Sequence, residues 1–233
     1  MHPLSHTGSF FALFVLGLIV SPWPLGSNRD WAWPILSVLY LLITLALLYK
    51  SPAPRTPHAR LTLAAYAALL LWMLWQWFGL PGVLPQSSID VFETRSEFLK
   101  TLTYACLFYS TIQLVRSNDR FRIVAYAIVL VGLAEALFGG IQQLMFDIPR
   151  SRGSFPNPNH FAGYLEMAIG LGIGLMLAGS TNQTDKRFSI IDFVTGPLGR
   201  LRLIIVIMVI ALVMSRSRMG NVAFFSAVLI TAG

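Results

Sequence analysis

The chain has 233 residues, of which 55% are hydrophobic and 12% charged, and its net charge is +7. A soluble globular domain carries about 25% charged residues. A soluble fold of this length could not cover its surface with so few charges, so the composition excludes an ordinary soluble domain. The basic residues lie mostly in short segments between apolar runs, which argues against a nucleic-acid-binding protein and favours contact with membrane lipids.

Apolar runs of about 17–24 residues, separated by polar breaks, match the length of helix that crosses a hydrocarbon core about 30 Å thick. Backbone groups in lipid must be satisfied within each segment, so these runs predict helices and not strands. The predicted spans are 9–25, 31–49, 61–78, 98–115, 123–146, 161–178 and 198–214, with an eighth that starts near 219. We therefore predict an all-α, polytopic transmembrane bundle of about seven complete spans and a partial eighth, forming a single membrane domain over 1–233.

The predicted eighth helix is short. The 15 residues from Met219 to Gly233 would reach only about 22 Å as a helix. That is less than a full crossing. We therefore interpret the sequence as the N-terminal part of a longer protein.

The distribution of lysine and arginine predicts the orientation of the bundle. If the N-terminus is cytoplasmic, the basic residues in inside segments are Lys50, Arg55, Arg60, Arg116, Arg120, Arg122, Lys186, Arg187, Arg200 and Arg202. Those in outside segments are Arg29, Arg95, Arg150, Arg152, Arg216 and Arg218. The inside excess agrees with the positive-inside rule. Four of the outside arginines lie in two short segments, 150–152 and 216–218, which topology alone does not explain.

The first of these outer segments, 150–160, has the sequence RSRGSFPNPNH. Pro156 and Pro158 oppose helix before Asn159, so we expect Asn159 to cap the N-terminus of the sixth span. The free N–H groups of that helix end, beside Arg150 and Arg152, form a site suited to an anion such as phosphate. The alternative is a proline-rich surface loop whose arginines contact lipid headgroups.

The second outer segment, 215–221, has the sequence SRSRMGN. It again combines a helix start, hydroxyl side chains and two guanidiniums, and arginine can grip diphosphate oxygens in a bidentate manner. Taken alone, a tight turn with snorkelling arginines explains it better. Because both segments are predicted on one face, together they favour a cradle for a lipid-linked diphosphate.

A few other polar residues lie within or next to the predicted spans. Glu135 shares a helix face with Gly139, Gln142 and Gln143, which predicts either a polar track toward the outer site or a carboxyl that stabilises the bundle. Glu166 is expected to brace an outer arginine.

Lys100 is expected to snorkel or to pair with Glu97 or Glu166. For His160, helix-end capping or a sugar contact is favoured over a role as general acid or base. Gly170 and Gly174 predict close helix packing.

No cofactor chemistry is evident in the sequence. The single cysteine, Cys106, lies in an apolar run and excludes both a disulfide framework and a CxxC metal site. The sequence contains no nucleotide-binding, zinc-hydrolase or serine-hydrolase motif. We therefore expect no metal and no cofactor.

Two stretches, GSFPNPNHFAGYLEM (153–167) and MSRSRMGNVAFF (214–225), resemble signatures of the O-antigen ligase family. That family also contains the Wzy-type polymerases and the bacterial protein O-oligosaccharyltransferases. The resemblance implies a metal-independent membrane glycosyltransferase of the bacterial inner membrane. Such an enzyme takes a glycan from undecaprenyl diphosphate and passes it, on the periplasmic face, to lipid A core, another glycan chain or a protein.

The resemblance also implies roles for individual residues. Arg216 and Arg218 would be catalytic, contacting the carrier diphosphate and stabilising charge on the leaving group. The expected substrate-binding residues are Arg150, Arg152, Asn157, Asn159, His160 and Glu166. The family's large periplasmic loop, with its histidine and a further arginine, is not matched in this sequence, and His160 does not fit that histidine's motif. Activity is therefore expected only if a C-terminal part completes the protein.

Two other functions fit the same features. One is a membrane transporter or anion-binding protein of the bicarbonate type, suggested by the basic cradle and Glu135. The other is a non-catalytic fragment that binds lipid without turnover.

Overall fold

A computed structural model describes residues 4–50, 56–79, 88–180 and 196–232, and every regular element in these ranges is a helix. The helices are α1 (Leu4–Val20), α2 (Ala32–Lys50), α3 (Pro57–Phe78), α4 (Val91–Leu114), α5 (Asn118–Met145), α6 (Pro158–Ser180), α7 (Pro197–Met214) and α8 (Arg218–Ala232). The predicted all-α class is confirmed for the described residues.

Four of these helices, α2, α3, α5 and α6, are long and apolar enough to cross a membrane. The apolar parts of α1 and α8 (Gly8–Val20 and Arg218–Ile230) are shorter. The four long helices indicate a membrane protein, whereas the count of seven spans stays a prediction.

Helix starts differ from the predicted spans where a cap lies outside the apolar run. The Asp90 carboxylate accepts hydrogen bonds from Phe92 N and Glu93 N at 2.9 and 3.1 Å, so α4 begins at Val91 and not at 98. Thr56 caps α3, which begins at Pro57 and not at 61. Hydropathy marks the apolar part of a helix, whereas the cap marks its start.

The chain forms two compact units, the first of which comprises Met1–Gly17 and Arg29–Arg120. In this unit α4 packs against α2 and α3. The buried Thr44 hydroxyl donates to Cys106 O and lies 3.1 Å from Ser110 Oγ, which fixes α2 on α4. Lys100 Nζ lies 2.7 Å from Glu97 Oε1, and this ion pair confirms one of the predicted alternatives for Lys100.

The second unit comprises Leu18–Asn28 and Phe121–Gly233. Here α6 packs against α7 and α8. The core is apolar and includes Phe161, Leu165 and Ile169 of α6 together with Met208 and Leu212 of α7, all fully buried. This core supports the two arginine-bearing segments at its end.

The predicted close packing at Gly170 and Gly174 is wrong, because a Cβ at either position would meet no described atom within 4 Å. A close approach instead occurs at Gly132 of α5, where a Cβ would lie 2.7 Å from Ala168 Cβ and 3.0 Å from Met208 Sδ. A spacing motif cannot reveal which face of a helix meets a neighbour, and here Gly170 and Gly174 lie where no described neighbour is close.

Candidate functional site

The side chain of Arg150 joins the two arginine-bearing segments. Its Nε donates to Ser215 O at 2.8 Å, and its Nη2 donates to Arg216 O at 3.3 Å and to Asn159 Oδ1 at 3.1 Å. The backbone adds a fourth bond, from Ser151 N to Met214 O at 3.2 Å. The segments 150–157 and 214–218 therefore lie side by side, and we call them together the joined-loop site.

The first turn of α6 is capped by Asn157, and the prediction that Asn159 is the cap is wrong. Asn157 Oδ1 accepts from Asn159 N at 2.9 Å, and Asn157 O accepts from His160 N and Phe161 N. Pro158 begins the helix, because a proline at the first helical position loses no needed hydrogen bond and has a suitable φ angle. Asn159 is thereby free to accept from Arg150.

As the N-cap of α6, the Asn157 side chain should contribute to the stability of the protein. We expect Asn157→Ala to lower the free energy of unfolding by about 1 kcal/mol, because the helix end loses its side-chain acceptor. Asn157→Ser, which retains an acceptor, should cost less. Thermal unfolding of the purified protein in detergent measures both changes, and equal stability of all three proteins would contradict the assignment.

The turn between α7 and α8 holds its serines inside and its arginines outside. Ser215 and Ser217 are buried, and Ser215 Oγ donates to Leu212 O at 2.6 Å. Ser217 Oγ accepts from Gly220 N at 3.3 Å and so caps the start of α8. The hydroxyls satisfy the ends of two helices and are not available to a ligand.

Arg216 has a backbone φ of 51°, in the left-handed region that favours glycine. It follows the C-terminal residues of α7, and its N–H donates to Val213 O at 3.0 Å. Helices commonly end with glycine in this conformation. An arginine here costs about 1 kcal/mol relative to glycine. Stability of the turn alone therefore does not explain an arginine at this position.

Three guanidiniums of the joined-loop site are available to a ligand. Arg152, Arg216 and Arg218 are exposed. In the described parts of the chain, none of these three side chains makes a hydrogen bond or ion pair. By contrast, Arg150 uses its donors to hold the segments together. Asn157, Asn159 and His160 are exposed beside the start of α6.

The 150–157 loop is held against α5 by contacts that the sequence did not predict. Ser154 N and Ser154 Oγ donate to the two carboxyl oxygens of Glu135 at 2.8 and 2.7 Å, and Ser154 Oγ also lies 2.7 Å from Pro22 O. Gly153 has a φ of 56°, and the Phe155 ring packs against Tyr164 at 5.5 Å between centroids. Gly153 is the sequence signal that could have revealed this turn, because glycine readily adopts a positive φ.

Glu166 does not brace an arginine, contrary to expectation. Within the described residues it makes no hydrogen bond or ion pair, and its Oε1 is buried without a partner. That oxygen lies beside the first turn of α8, where a Cβ at Gly220 would be 2.6 Å away. Geometry places Glu166 beside the joined-loop site, but not in the predicted ion pair.

The arrangement is suited to binding an anion with several oxygens. Arg150 contacts both the second residue of α6 and the turn before α8, so two helix N-termini lie near one point. The N–H groups at helix N-termini and free guanidiniums both favour phosphate groups. In the described residues no group of three metal-ligating side chains occurs.

Comparison with protein-family models, curated proteins and solved structures finds no match to this chain.

Proposed function

We propose that the joined-loop site binds the diphosphate of a lipid-linked glycan in a membrane glycosyltransferase of the O-antigen ligase type. The observation that supports this best is the bridge made by Arg150, which leaves three exposed guanidiniums around two adjacent helix N-termini. The helix ends and arginines are complementary to a diphosphate, whose oxygens can accept several charge-assisted hydrogen bonds at once.

In the proposed reaction a hydroxyl of the acceptor attacks the anomeric carbon of the carrier-linked sugar. A new C–O bond forms, the bond from that carbon to the diphosphate oxygen breaks, and the hydroxyl proton leaves to a base. Negative charge builds on the departing diphosphate, where Arg216 and Arg218 would stabilise it. Arg152, Asn157, Asn159, His160 and Glu166 would shape the surrounding pocket.

The proposed location follows from the distribution of charge and the function. The protein would be a multi-pass protein of the bacterial inner membrane, with its N-terminus in the cytoplasm and the joined-loop site on the periplasmic face. The carrier would be undecaprenyl diphosphate, and the acceptor lipid A core, a glycan chain or a protein. No metal or other cofactor is proposed.

Glycan transfer in cells tests the proposal. We expect the double change Arg216→Ala and Arg218→Ala to reduce transfer at least tenfold through lost stabilisation of the leaving group. Arg200→Ala is the matched control, because Arg200 is an exposed arginine at the start of α7. Undiminished transfer by the double variant at normal expression would refute the role of these arginines.

The transporter function predicted from the same features stays an alternative. Anion uptake into liposomes by the purified protein would favour it, and the absence of flux would count against it.

A further inference from the structure

We propose that Glu135 is a positioning residue for the joined-loop site. Its carboxyl would set the position of the 150–157 loop by hydrogen bonds to Ser154, and would do so as a hydrogen-bonding group and not as a charge. The proposal rests on the proposed function in one respect, because the loop so positioned carries Arg152 and the bridging Arg150.

The contact between Glu135 and the loop is fully enclosed. Glu135 is 0% exposed, and both of its oxygens bond to one loop residue, Ser154, which is itself buried. A buried polar group that loses its partner costs about 1–3 kcal/mol. The pair therefore fixes where the loop meets α5.

The backbone around the contact between Glu135 and Ser154 is closely packed. A Cβ at Gly153 would overlap Glu135 Oε2 and lie 2.9 Å from Phe161 Cε2. A Cβ at Gly139, one turn further along α5 from Glu135, would overlap Ser151 Oγ and lie 3.0 Å from Gly153 N. The loop thus rests directly on the face of α5 that carries Glu135.

Positioning is transmitted to the arginines through a short stretch of backbone. Ser154 lies two residues from Arg152 and four from Arg150, and Phe155 N donates to Arg152 O at 3.0 Å. At the other end of this stretch, Ser151 N and the Arg150 side chain bond to residues 214–216. A loop released from Glu135 would move Arg152 and weaken the bridge between the two segments.

The hydrogen bonds of Ser154 Oγ indicate that a neutral amide could replace the Glu135 carboxyl. The single hydroxyl proton of Ser154 faces two oxygens, Pro22 O and Glu135 Oε1, both at 2.7 Å. The amide of glutamine at position 135 can keep both contacts, because its oxygen accepts from Ser154 N and its nitrogen donates to Ser154 Oγ, which then donates to Pro22 O. In the described chain Glu135 makes no ion pair that would require its charge.

The test uses four variants made in a Cys106→Ala background: Glu135→Gln, Glu135→Leu, Ser154→Ala and the Glu135→Leu, Ser154→Ala double. Each also carries Ser151→Cys, at a loop position that is 0% exposed, for measuring the rate of labelling by a water-soluble maleimide. The same four changes, made with Ser151 intact, are titrated with undecaprenyl diphosphate in nanodiscs. Gln142→Leu is the control, because Gln142 lies on the same helix and its Oε1 has no partner among the residues that the structure describes.

We expect Glu135→Gln to label and bind within about twofold of the parent, since the amide supplies the same bonds. Glu135→Leu and Ser154→Ala should each raise labelling about tenfold and weaken binding by a similar factor. The double variant should be no worse than Glu135→Leu, because the two residues act as a pair.

Two results would overturn the proposal. One is parental labelling by both Glu135→Leu and Ser154→Ala. The other is a Glu135→Gln protein as altered as Glu135→Leu, which would mean that the charge matters. Should Glu135→Leu not fold, Ser154→Ala still decides the question, because it keeps the backbone bond to Glu135. If labelling changes as expected but no protein binds the carrier lipid, the positioning role stands and the proposed function fails.

Discussion

Replacing Gly153 with alanine is expected to lower the free energy of unfolding by about 2–4 kcal/mol, because two costs add. The residue has a φ of 56°, which alanine adopts poorly. The new methyl group would also overlap the Glu135 carboxyl and press on the Phe161 ring, which is fully buried. Neither neighbour can move without opening the loop or the core.

Thermal unfolding in detergent measures this change, and α6 offers a matched control. A Cβ at Gly163 would meet no described atom within 4 Å. Alanine is the better helix former by about 1 kcal/mol, so Gly163→Ala should leave stability unchanged or raise it. If Gly153→Ala were as stable as the parent, the placement of the loop on α5 would be wrong.

Arg216→Gly is expected to reduce carrier binding and glycan transfer about tenfold without loss of stability. Glycine suits the left-handed backbone at this position, so it should relieve about 1 kcal/mol of backbone strain while removing the guanidinium. Arg216→Ala should lose the same function but be about 1 kcal/mol less stable than Arg216→Gly, because alanine keeps the strained backbone. The two variants of Arg216 should therefore lose function equally but differ in stability.

The comparison of the three proteins decides whether Arg216 serves the turn or a ligand. Equal function with a lower melting temperature for both variants would show that the arginine is structural. Loss of function together with equal or higher stability of the glycine variant would show that the side chain acts on a ligand. Arg200→Ala again controls for the loss of one exposed positive charge.

The helical architecture was predictable because its signal is strong and local. Long apolar runs such as those of α5 and α6 can satisfy their backbone groups in lipid only as helices. The starts of α3 and α4 were predicted late, since Thr56 and Asp90 cap these helices outside the apolar run. The same limitation explains the Asn157 cap, where two asparagines flank one proline and sequence alone favoured the wrong one.

The joined-loop site was predictable only in part. The repeated pattern of arginines beside helix starts predicts that segments 150–160 and 215–221 lie on one face, and the Arg150 bridge shows that they are adjacent. Sequence could not show which arginine would be used for structure. That choice depends on where the carbonyl oxygens of Ser215 and Arg216 lie relative to Arg150, which is a property of the folded chain.

The role of Glu135 was open for a related reason. A carboxyl in an apolar helix must find a partner, but the partner can lie anywhere in the fold. Here it is Ser154, 19 residues along the chain in a loop, and not a residue of the predicted polar track. Gln142 and Gln143 of that track have side-chain oxygens that are buried without a partner among the described residues.

The most direct test of the proposed diphosphate site is a titration of the purified protein in nanodiscs with undecaprenyl diphosphate, which measures binding. We predict saturable binding that weakens with added salt, because guanidinium–phosphate contacts at an exposed site are screened. The triple change Arg152→Ala, Arg216→Gly and Arg218→Ala should weaken binding at least tenfold, whereas Arg200→Ala should not. Binding of the triple variant with the affinity of the parent would contradict the assignment of a diphosphate site to the joined loops.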